Sequence, residues 1–417
     1  MSGPARRPYL QVMSLTPPAF PSVADHDVVV VGGRAAGAAT AMLLARAGHD
    51  VLVVDRAQLP SDTTSTHSLV RGGVVQLSRW GLLDEVLDSG APPIRSVLFQ
   101  QYGEGATQPL RLTVKDKAGV DMMLAPRRYV LDAILAEAAV RAGATILTGT
   151  TVSAVIRGDD GRVGGVVAHG PDGASRRLTA RLVIGADGVR SRMADLLGAR
   201  VREAHQPSGT CLYTYVGGVP WDGFEFHLGH RAFAGVFPTH HGEAAVWLIR
   251  PTPQLEPVLT AGADRSEAFL RALRGCAPEL AARVDRGIVT APVRGSVGLP
   301  NHVRRAAGPG WALVGDAGYH RDPITGHGLT DAFRDADLLA EAVDDVLRGA
   351  ADEPVAMRTY ERQRDDAIRD TFRITRELAR FPPPGRFAEL HGELSRALDV
   401  EARQLAARST LVGVPVC

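Results

Sequence analysis

The sequence predicts an α/β protein in which a parallel, dinucleotide-binding type of domain is interleaved with a mixed or antiparallel-sheet domain and followed by a helical C-terminal region. Three observations carry this prediction. A strand–helix–strand unit with a glycine-rich first turn occupies residues 27–54. Segments of the same character return at 128–190 and 311–350. Between them, residues 209–250 concentrate eight of the chain's 22 aromatic side chains and alternate as a half-buried sheet does.

Residues 27–31 (DVVVV) read as a buried strand, short and β-branched. Residues 35–47 read as a helix rich in small residues, closed by Gly48, and 50–54 (DVLVV) as a second strand. A connection of this length forces a parallel, right-handed crossover. Residues 60–68 are a polar loop, and 71–88 read as one helix ending near Leu87. An amphipathic helix spans 128–142, capped by Gly143; strands follow near 144–155, 163–169 and 180–185. In the aromatic stretch, Phe224-x-Phe226 and the run from Ala232 to Val236 predict antiparallel strands. Residues 311–314 form another strand, and helices are predicted over 328–348, 354–379 and roughly 386–407.

The resulting organisation is discontinuous. Residues 1–25 are a Pro- and Ser-rich extension, or the product of a start codon placed too early. Residues 26–89, 126–199 and 301–350 build the dinucleotide-binding domain. Residues 90–125 and 200–300 build the substrate domain, and 351–417 the helical region.

Composition removes several classes of function. The 417 residues carry a net charge of +1, which gives no broad attraction to nucleic acid or membrane. No apolar run reaches the roughly 18 residues of a membrane helix, nor does a signal-type apolar stretch follow Arg6 and Arg7. The three cysteines, Cys211, Cys276 and Cys417, lack the spacing of a disulfide framework or a zinc site. These features predict a cytoplasmic protein with no metal. Lys115 and Lys117 are the only lysines, and heavy arginine use hints at a GC-rich bacterial genome.

Three motifs carry chemistry. Gly32-Gly33-Arg34-Ala35-Ala36-Gly37 joins the first strand to its helix, the context a dinucleotide fingerprint requires. Gly32 permits the tight turn and Gly37 a close helix–strand approach, so helix-start amides face a pyrophosphate. Arg34 stands where backbone would approach that pyrophosphate. Its side chain must turn away or contact phosphate itself. Asp55 ends the second strand, 18 residues beyond Gly37, and suits a ribose diol. The second motif, Asp187-Gly188 after the strand at 180–185, is by itself an ordinary turn. The third runs from Gly315-Asp316 through His320, Pro323, Gly326, His327 and Gly328 to Thr330. A strand delivers Asp316 at its C-terminal end, and a Pro- and Gly-rich loop then opens a long helix.

In this order and spacing the motifs resemble the FAD-dependent (group A) monooxygenase family typified by para-hydroxybenzoate hydroxylase, related to the geranylgeranyl-reductase-type flavoproteins. The similarity spans roughly residues 26–350, and Arg128 in Arg-x-x-Leu-Asp132 matches a further family position. The resemblance implies that Gly32, Gly33, Ala36 and Gly37 cradle the FAD pyrophosphate. Asp55, with Arg56 beside it, would hold the adenosine ribose, and Val152 would meet the adenine by its backbone. Arg128 would lie beside the cofactor. Gly315 and Asp316 would meet the ribityl chain or phosphate. Pro323 would face the flavin ring, with the helix start at Gly326, His327 and Gly328 aimed at N1 and O2. Asp187 would touch FAD only indirectly, with a link to pyridine nucleotide. His67 falls on the family's mobile loop beside the ring. Thr330 stands where the family often has Asn, and Arg34 where it has glycine.

The implied activity is hydroxylation or epoxidation of an aromatic or polyketide/terpenoid-like small molecule through a flavin C4a-hydroperoxide, in secondary metabolism. NAD(P)H would be the reductant and O2 the oxidant. No second fingerprint domain is present, which also permits a separate flavin reductase. The candidate catalytic residues are Pro323, His67, Tyr215 and His320, with His227 and Tyr213 also able to act on a ring. Tyr213, Tyr215, Phe226 and Phe237 are the candidate substrate pocket. The C-terminal helices cover the FAD domain or mediate self-association, leaving monomer and homodimer open. A halogenase would need a WxWxIP segment and a lysine in the cofactor region, and the sequence has neither. A geranylgeranyl-reductase-type C=C reductase is the main alternative. Its characteristic cysteine after the second strand is replaced here by Ser65-Thr66-His67. A non-catalytic flavin-binding protein is a third reading.

Overall fold

The computed structural model describes residues 25–65, 67–103, 106, 108–207 and 209–409. The N-terminal extension up to Ala24, Thr66 and Cys417 lie outside the described residues.

The first sheet has parallel strands at its centre. Its spatial order is Ala307–Gly308, Trp311–Leu313, Ser175–Gly185, Asp25–Val31, Val51–Val54 and Thr145–Leu147. Thr151–Arg157 and Val163–His169 extend it as an antiparallel meander that returns through Ser175–Gly185. Val28–Val30 and Val51–Val54 are fully buried, which is why their runs are continuously apolar rather than alternating. The helices packed on this sheet include α1 (Ala35–Arg46), α2 (Arg71–Arg79), α3 (Leu83–Asp88) and α4 (Arg128–Arg141). Helix α5 (Arg192–Leu197) follows the Asp187 turn.

The second sheet has the order Ile288–Val289, Thr210–Gly217, Ala244–Arg250, Ala232–Pro238, Phe224–Gly229, Ser96–Gln101 and Leu110–Thr113. Neighbours are antiparallel except Phe224–Gly229 and Ser96–Gln101, which run parallel. Residues of both insertions therefore share one sheet. Three helices, α6 (Thr252–Leu259), α7 (Arg265–Arg274) and α8 (Pro278–Val284), cover its outer face through Leu255, Phe269 and Leu280. The chain closes with α9 (Gly328–Leu347), α10 (Glu353–Leu378) and α11 (Pro384–Ala407). Helix α9 packs on α1, and α11 crosses from α2 to the second sheet.

Several elements differ from the sequence prediction. The helix expected over 71–88 is two, because Gly81 sits at φ +70° and the chain turns there before α3. The strand expected over 144–155 is broken at Thr148–Thr150, where it leaves one edge to begin the meander. The insertion expected to be sheet also contains α6–α8, a two-layer arrangement that buries the sheet's second face.

His240 fastens the two sheets' domains together. The Arg127 amide donates to its Nδ1 at 3.2 Å, and Ser89 Oγ lies 3.0 Å from Nε2. Ser89 itself donates to the Val86 carbonyl at 2.6 Å, so Nε2–H donates to Ser89 and the ring is neutral. Burial first, then His241 and Arg127, lower its pKa to about 4. A histidine depressed in the folded state contributes stability above its unfolded pKa and loses it as pH falls. Relative to His240→Gln, the wild type should lose up to about 1.4 kcal/mol per pH unit between pH 6.5 and 4. Urea unfolding of both proteins at stepped pH checks this, and parallel pH profiles would contradict it.

Candidate functional site

A cleft of about 1130 Å³ runs along the C-terminal edge of the first sheet. Gly32, Arg34, Ala36, Asp55, Arg56, Arg128, Val152, Asp187 and Asp316 line it. So do His67, His320, Pro323, Gly326, His327 and Gly328. Gly33, Gly37 and Gly315 do not line the cleft but shape it. A Cβ on Gly37 would stand 1.8 Å from the Gly32 carbonyl oxygen, and one on Gly315 2.8 Å from Ala36 Cβ. The first turn therefore lies flat against α1, leaving its amides facing the cleft.

Asp55 is buried, accepting the Gly33 amide at 2.7 Å and the Ala57 amide at 2.8 Å. These bonds fix the carboxylate at the strand end. Arg34 turns sideways. Its guanidinium donates to the Ser61 carbonyl at 2.9 Å, Ser61 Oγ at 2.8 Å and Asp132 at 3.1 Å. Asp132 also accepts from Arg128 at 3.0 Å, so one buried carboxylate aligns two cations at the cleft wall. Of the two options open to Arg34, its observed contacts are to protein. Asp187 accepts from Ser191 Oγ and from the Met193 amide at 2.9 Å, capping α5. Its carboxylate is thus bound to structure, while its turn borders the cleft and supports Gly32.

Asp316 makes no side-chain hydrogen bond among the described residues, and burial raises its pKa. Helix α9 begins at Gly328 after Gly326 (φ +67°), and its first intrahelical bond is the Asp331 amide to the His327 carbonyl. Earlier amides of α9 stay available at the cleft, where the helix dipole favours negative charge. The glycine cradle, fixed Asp55, paired arginines and open α9 start fit FAD.

A second cavity, of about 450 Å³, adjoins the cleft, and the two share Ser68, Pro323, Gly326 and His327. Its walls are Phe99, Phe224, Phe226, Phe237 and Trp247 from the second sheet, with Ile324 and, from α11, His391, Leu394 and Leu398. His327 is 4% exposed, and neither ring nitrogen has a hydrogen-bond partner among the described residues. Burial, then Arg321, lower its pKa to about 3, so a neutral imidazole stands between the two spaces. His391 is held neutral likewise, at about 4, by burial.

Phe226 and Phe237 line this cavity, but Tyr213 and Tyr215 do not. Both tyrosines belong to Thr210–Gly217, separated from Phe224–Gly229 by two strands. Tyr213 Oη accepts the Ser65 amide at 3.2 Å, and Tyr215 Oη bonds His67 Nε2. The Arg127 guanidinium covers the Tyr215 ring at 3.6 Å. Burial raises both phenols, so neither serves as a base. They brace the loop that carries His67 instead. His67 is fully buried, and burial followed by Arg128 and Arg127 keeps it neutral. His320 lies on the cofactor cleft, its Nδ1 donating to the Pro300 carbonyl at 2.6 Å, and does not reach the aromatic cavity. His227 points to the opposite face of the second sheet, against Tyr102 and Glu225.

Sequence reasoning missed the α11 wall and the rim. Phe387, His391, Leu394 and Leu398 recur at helical spacing, a stripe that identifies a buried face but not what it covers. Lys115 and Lys117 lie on the aromatic cavity rather than the cofactor cleft. Among the described residues no histidine, cysteine and carboxylate cluster could hold a metal. No helix there is long and apolar enough to cross a membrane.

A family model described as FAD binding domain matches residues 25–375. The chain is 31% identical to menaquinone reductase of Mycolicibacterium smegmatis, over 76% of this chain and 75% of that one. It is 28% identical to digeranylgeranylglycerophospholipid reductase 2 of Methanopyrus kandleri, over 90% and 91%. Protoasukamycin 4-monooxygenase of Streptomyces nodosus subsp. asukaensis is 29% identical, over 82% and 84%. Among solved structures, the flavin-dependent brominase Bmp2 superposes with a TM-score of 0.77 at 17% identity, covering 92% of this chain and 93% of that one, a likeness of fold.

Proposed function

Because this chain belongs to the FAD binding domain family and is an FAD-dependent oxidoreductase, we propose that it is a monooxygenase. It hydroxylates or epoxidises an aromatic, polyketide-like or terpenoid-like small molecule, with NAD(P)H as reductant and O2 as oxidant. The observation that carries this reading is the junction of cleft and aromatic cavity at Ser68, Pro323, Gly326 and His327.

Gly32, Ala36, Asp55, Arg128, Asp316 and the α9 start would hold FAD. When bound, FAD supplies two-electron redox chemistry and, once reduced, reaction with oxygen. The chain's own residues position and exclude. The phenylalanines and Trp247 bind an apolar body and keep water away from it. Neutral His327 offers a hydrogen-bond acceptor or donor to a substrate hydroxyl at the junction. Asp132 fixes Arg34 and Arg128, and the α9 amides offer a seat for negative charge. The setting this implies is a cytoplasmic tailoring step in secondary metabolism, run by a monomer or homodimer, with reduction either direct or by a separate flavin reductase.

Reductase names, carried by menaquinone reductase and by several digeranylgeranylglycerophospholipid reductases among the relatives, favour a second reading, for which we take reduction of a C=C bond. That chemistry adds hydride and proton to one alkene, so it needs an acid at the cavity. Neither described cysteine borders the cleft or the cavity, and burial pushes Cys211 up to about 12 and Cys276 to about 11. His391 and His327 are both held neutral. Among the described residues this leaves Lys115 and Lys117 as the cavity's ammonium donors, and neither lies on the lining shared with the cleft, which supports the oxygenase. Screening aromatic, polyketide and terpenoid compounds for faster NAD(P)H oxidation tests it. Stimulation that depends on air supports oxygenation; equal turnover without oxygen, with loss of the alkene, supports the reductase.

A further inference from the structure

The chain's only two lysines both line the aromatic cavity. They sit at the end where strand Leu110–Thr113 runs out, on the loop through Lys115 and Lys117. The ionisable side chains lining this cavity are Arg71, Lys115, Lys117 and Asp399, besides the neutral His327 and His391. Three residues that carry cations thus border the cavity with one that carries a carboxylate, in a chain whose net charge is +1. Asp116, between the lysines, does not line the cavity.

The cations have separate tasks. Arg71 from α2 donates to the Lys115 carbonyl at 2.8 Å and to the Val120 carbonyl, which braces the lysine loop. Lys117 Nζ pairs with Asp399 of α11 and closes the loop against the cavity wall. Lys115 Nζ has no partner among the described residues. One uncommitted positive charge therefore stands at the rim of an otherwise apolar space. Leu112, 46% exposed beside it, continues the apolar lining outward. Pro323, Gly326 and His327 lie on the part of the lining shared with the cofactor cleft.

We propose that the substrate is an amphiphilic acid: a ring-bearing apolar body held among Phe99, Phe226, Phe237 and Trp247, with a carboxylate paired to Lys115 at the rim. A cation with no partner among the described residues suits a monoanion, and the pairing would fix direction. The acid stays at the rim and the opposite end of the molecule meets the cofactor cleft. This rests on the monooxygenase reading for its chemistry, but binding alone tests it, so its failure leaves that reading standing.

The test uses the FAD-loaded protein and two fluorescent probes with the same rings. 8-Anilinonaphthalene-1-sulfonate carries one negative charge, and N-phenyl-1-naphthylamine carries none. The charged probe should bind more tightly, with 2-naphthoate displacing it better than 2-naphthol does. Added salt should weaken the charged probe alone. Lys115 is exposed, so Lys115→Gln should fold normally. That variant should weaken the charged probe roughly two- to fivefold and leave the neutral one unchanged. Lys115→Glu should weaken it further, and cavity-filling Leu394→Trp should remove both probes. Equal affinity for the two probes, wild-type affinity in Lys115→Gln, or stronger displacement by 2-naphthyl phosphate than by 2-naphthoate would overturn the proposal.

Discussion

Gly37→Ala should purify colourless. Its Cβ would sit 1.8 Å from the Gly32 carbonyl oxygen and 3.1 Å from Ala186 Cβ. Both neighbours are held by the sheet, since the Gly32 amide donates to the Val54 carbonyl and the Ala186 amide to the Val31 carbonyl. The helix must therefore move off the strand, carrying with it the amides that face the pyrophosphate. Overpacking of this kind costs about 1–3 kcal/mol in the fold alone. The larger effect is on the cofactor, because displaced amides no longer converge on one anion. Gly48→Ala is the matched control. It sits at φ +91° with open space around a Cβ, so it should cost about 1–2 kcal/mol of backbone strain and keep its flavin. Flavin absorbance per chain after purification reads both variants. A yellow Gly37→Ala protein would mean that α1 can shift without disturbing the cradle.

Arg334→Met should cost about 3–5 kcal/mol, the scale for breaking a buried ion pair. Arg334 is 3% exposed and serves three carboxylates. It reaches Asp331 at 2.7 Å, Asp335 at 2.7 Å and Glu401 at 2.9 Å. Asp331 also pairs with Arg321 at 2.9 Å, but Glu401 of α11 has Arg334 as its partner. Removing the guanidinium leaves Asp335 and Glu401 buried with their pKa values already raised by burial. Both would take up protons, and α11 would lose its buried ion pair to α9, keeping the pairs of Arg408 with Asp337 and Glu341 at its end. Since α11 supplies one wall of the aromatic cavity, ligand binding should weaken as well. Chemical denaturation measures the loss, and the double variant Arg334→Met/Glu401→Gln should recover part of it. A loss below about 1 kcal/mol would show that the network contributes little beyond position.

The parts of this molecule that were legible in the sequence are those set by local pattern. Continuous β-branched runs at 27–31 and 50–54 could only be buried parallel strands. The glycines at 32 and 37 fixed the turn between them, and the Asp316–Gly328 segment fixed the second helix start. What failed depended on distance across the fold. Period-two alternation places Tyr213 and Tyr215 on one face with each other, and they do share the aromatic layer with Phe226 and Phe237. It says nothing of lateral order. Two strands intervene, so the tyrosines meet the His67 loop while the phenylalanines meet the cavity. The rim was invisible for the same reason. Lys115 and Asp399 are 284 residues apart in sequence, and the docking of α11 brings them to one cavity. Arg34 looked like a defect of the fingerprint because its partners, Ser61 and Asp132, lie in other segments.

The central claim is that the aromatic cavity presents an apolar substrate to the FAD cleft for oxygenation. The direct measurement is turnover of a stimulating ligand by the FAD-loaded protein with NAD(P)H under ¹⁸O₂, with the product analysed by mass spectrometry. The account predicts a product that carries one atom of the labelled oxygen, formed only when oxygen is present. An unlabelled product that has gained two hydrogens, formed equally well without oxygen, would contradict it.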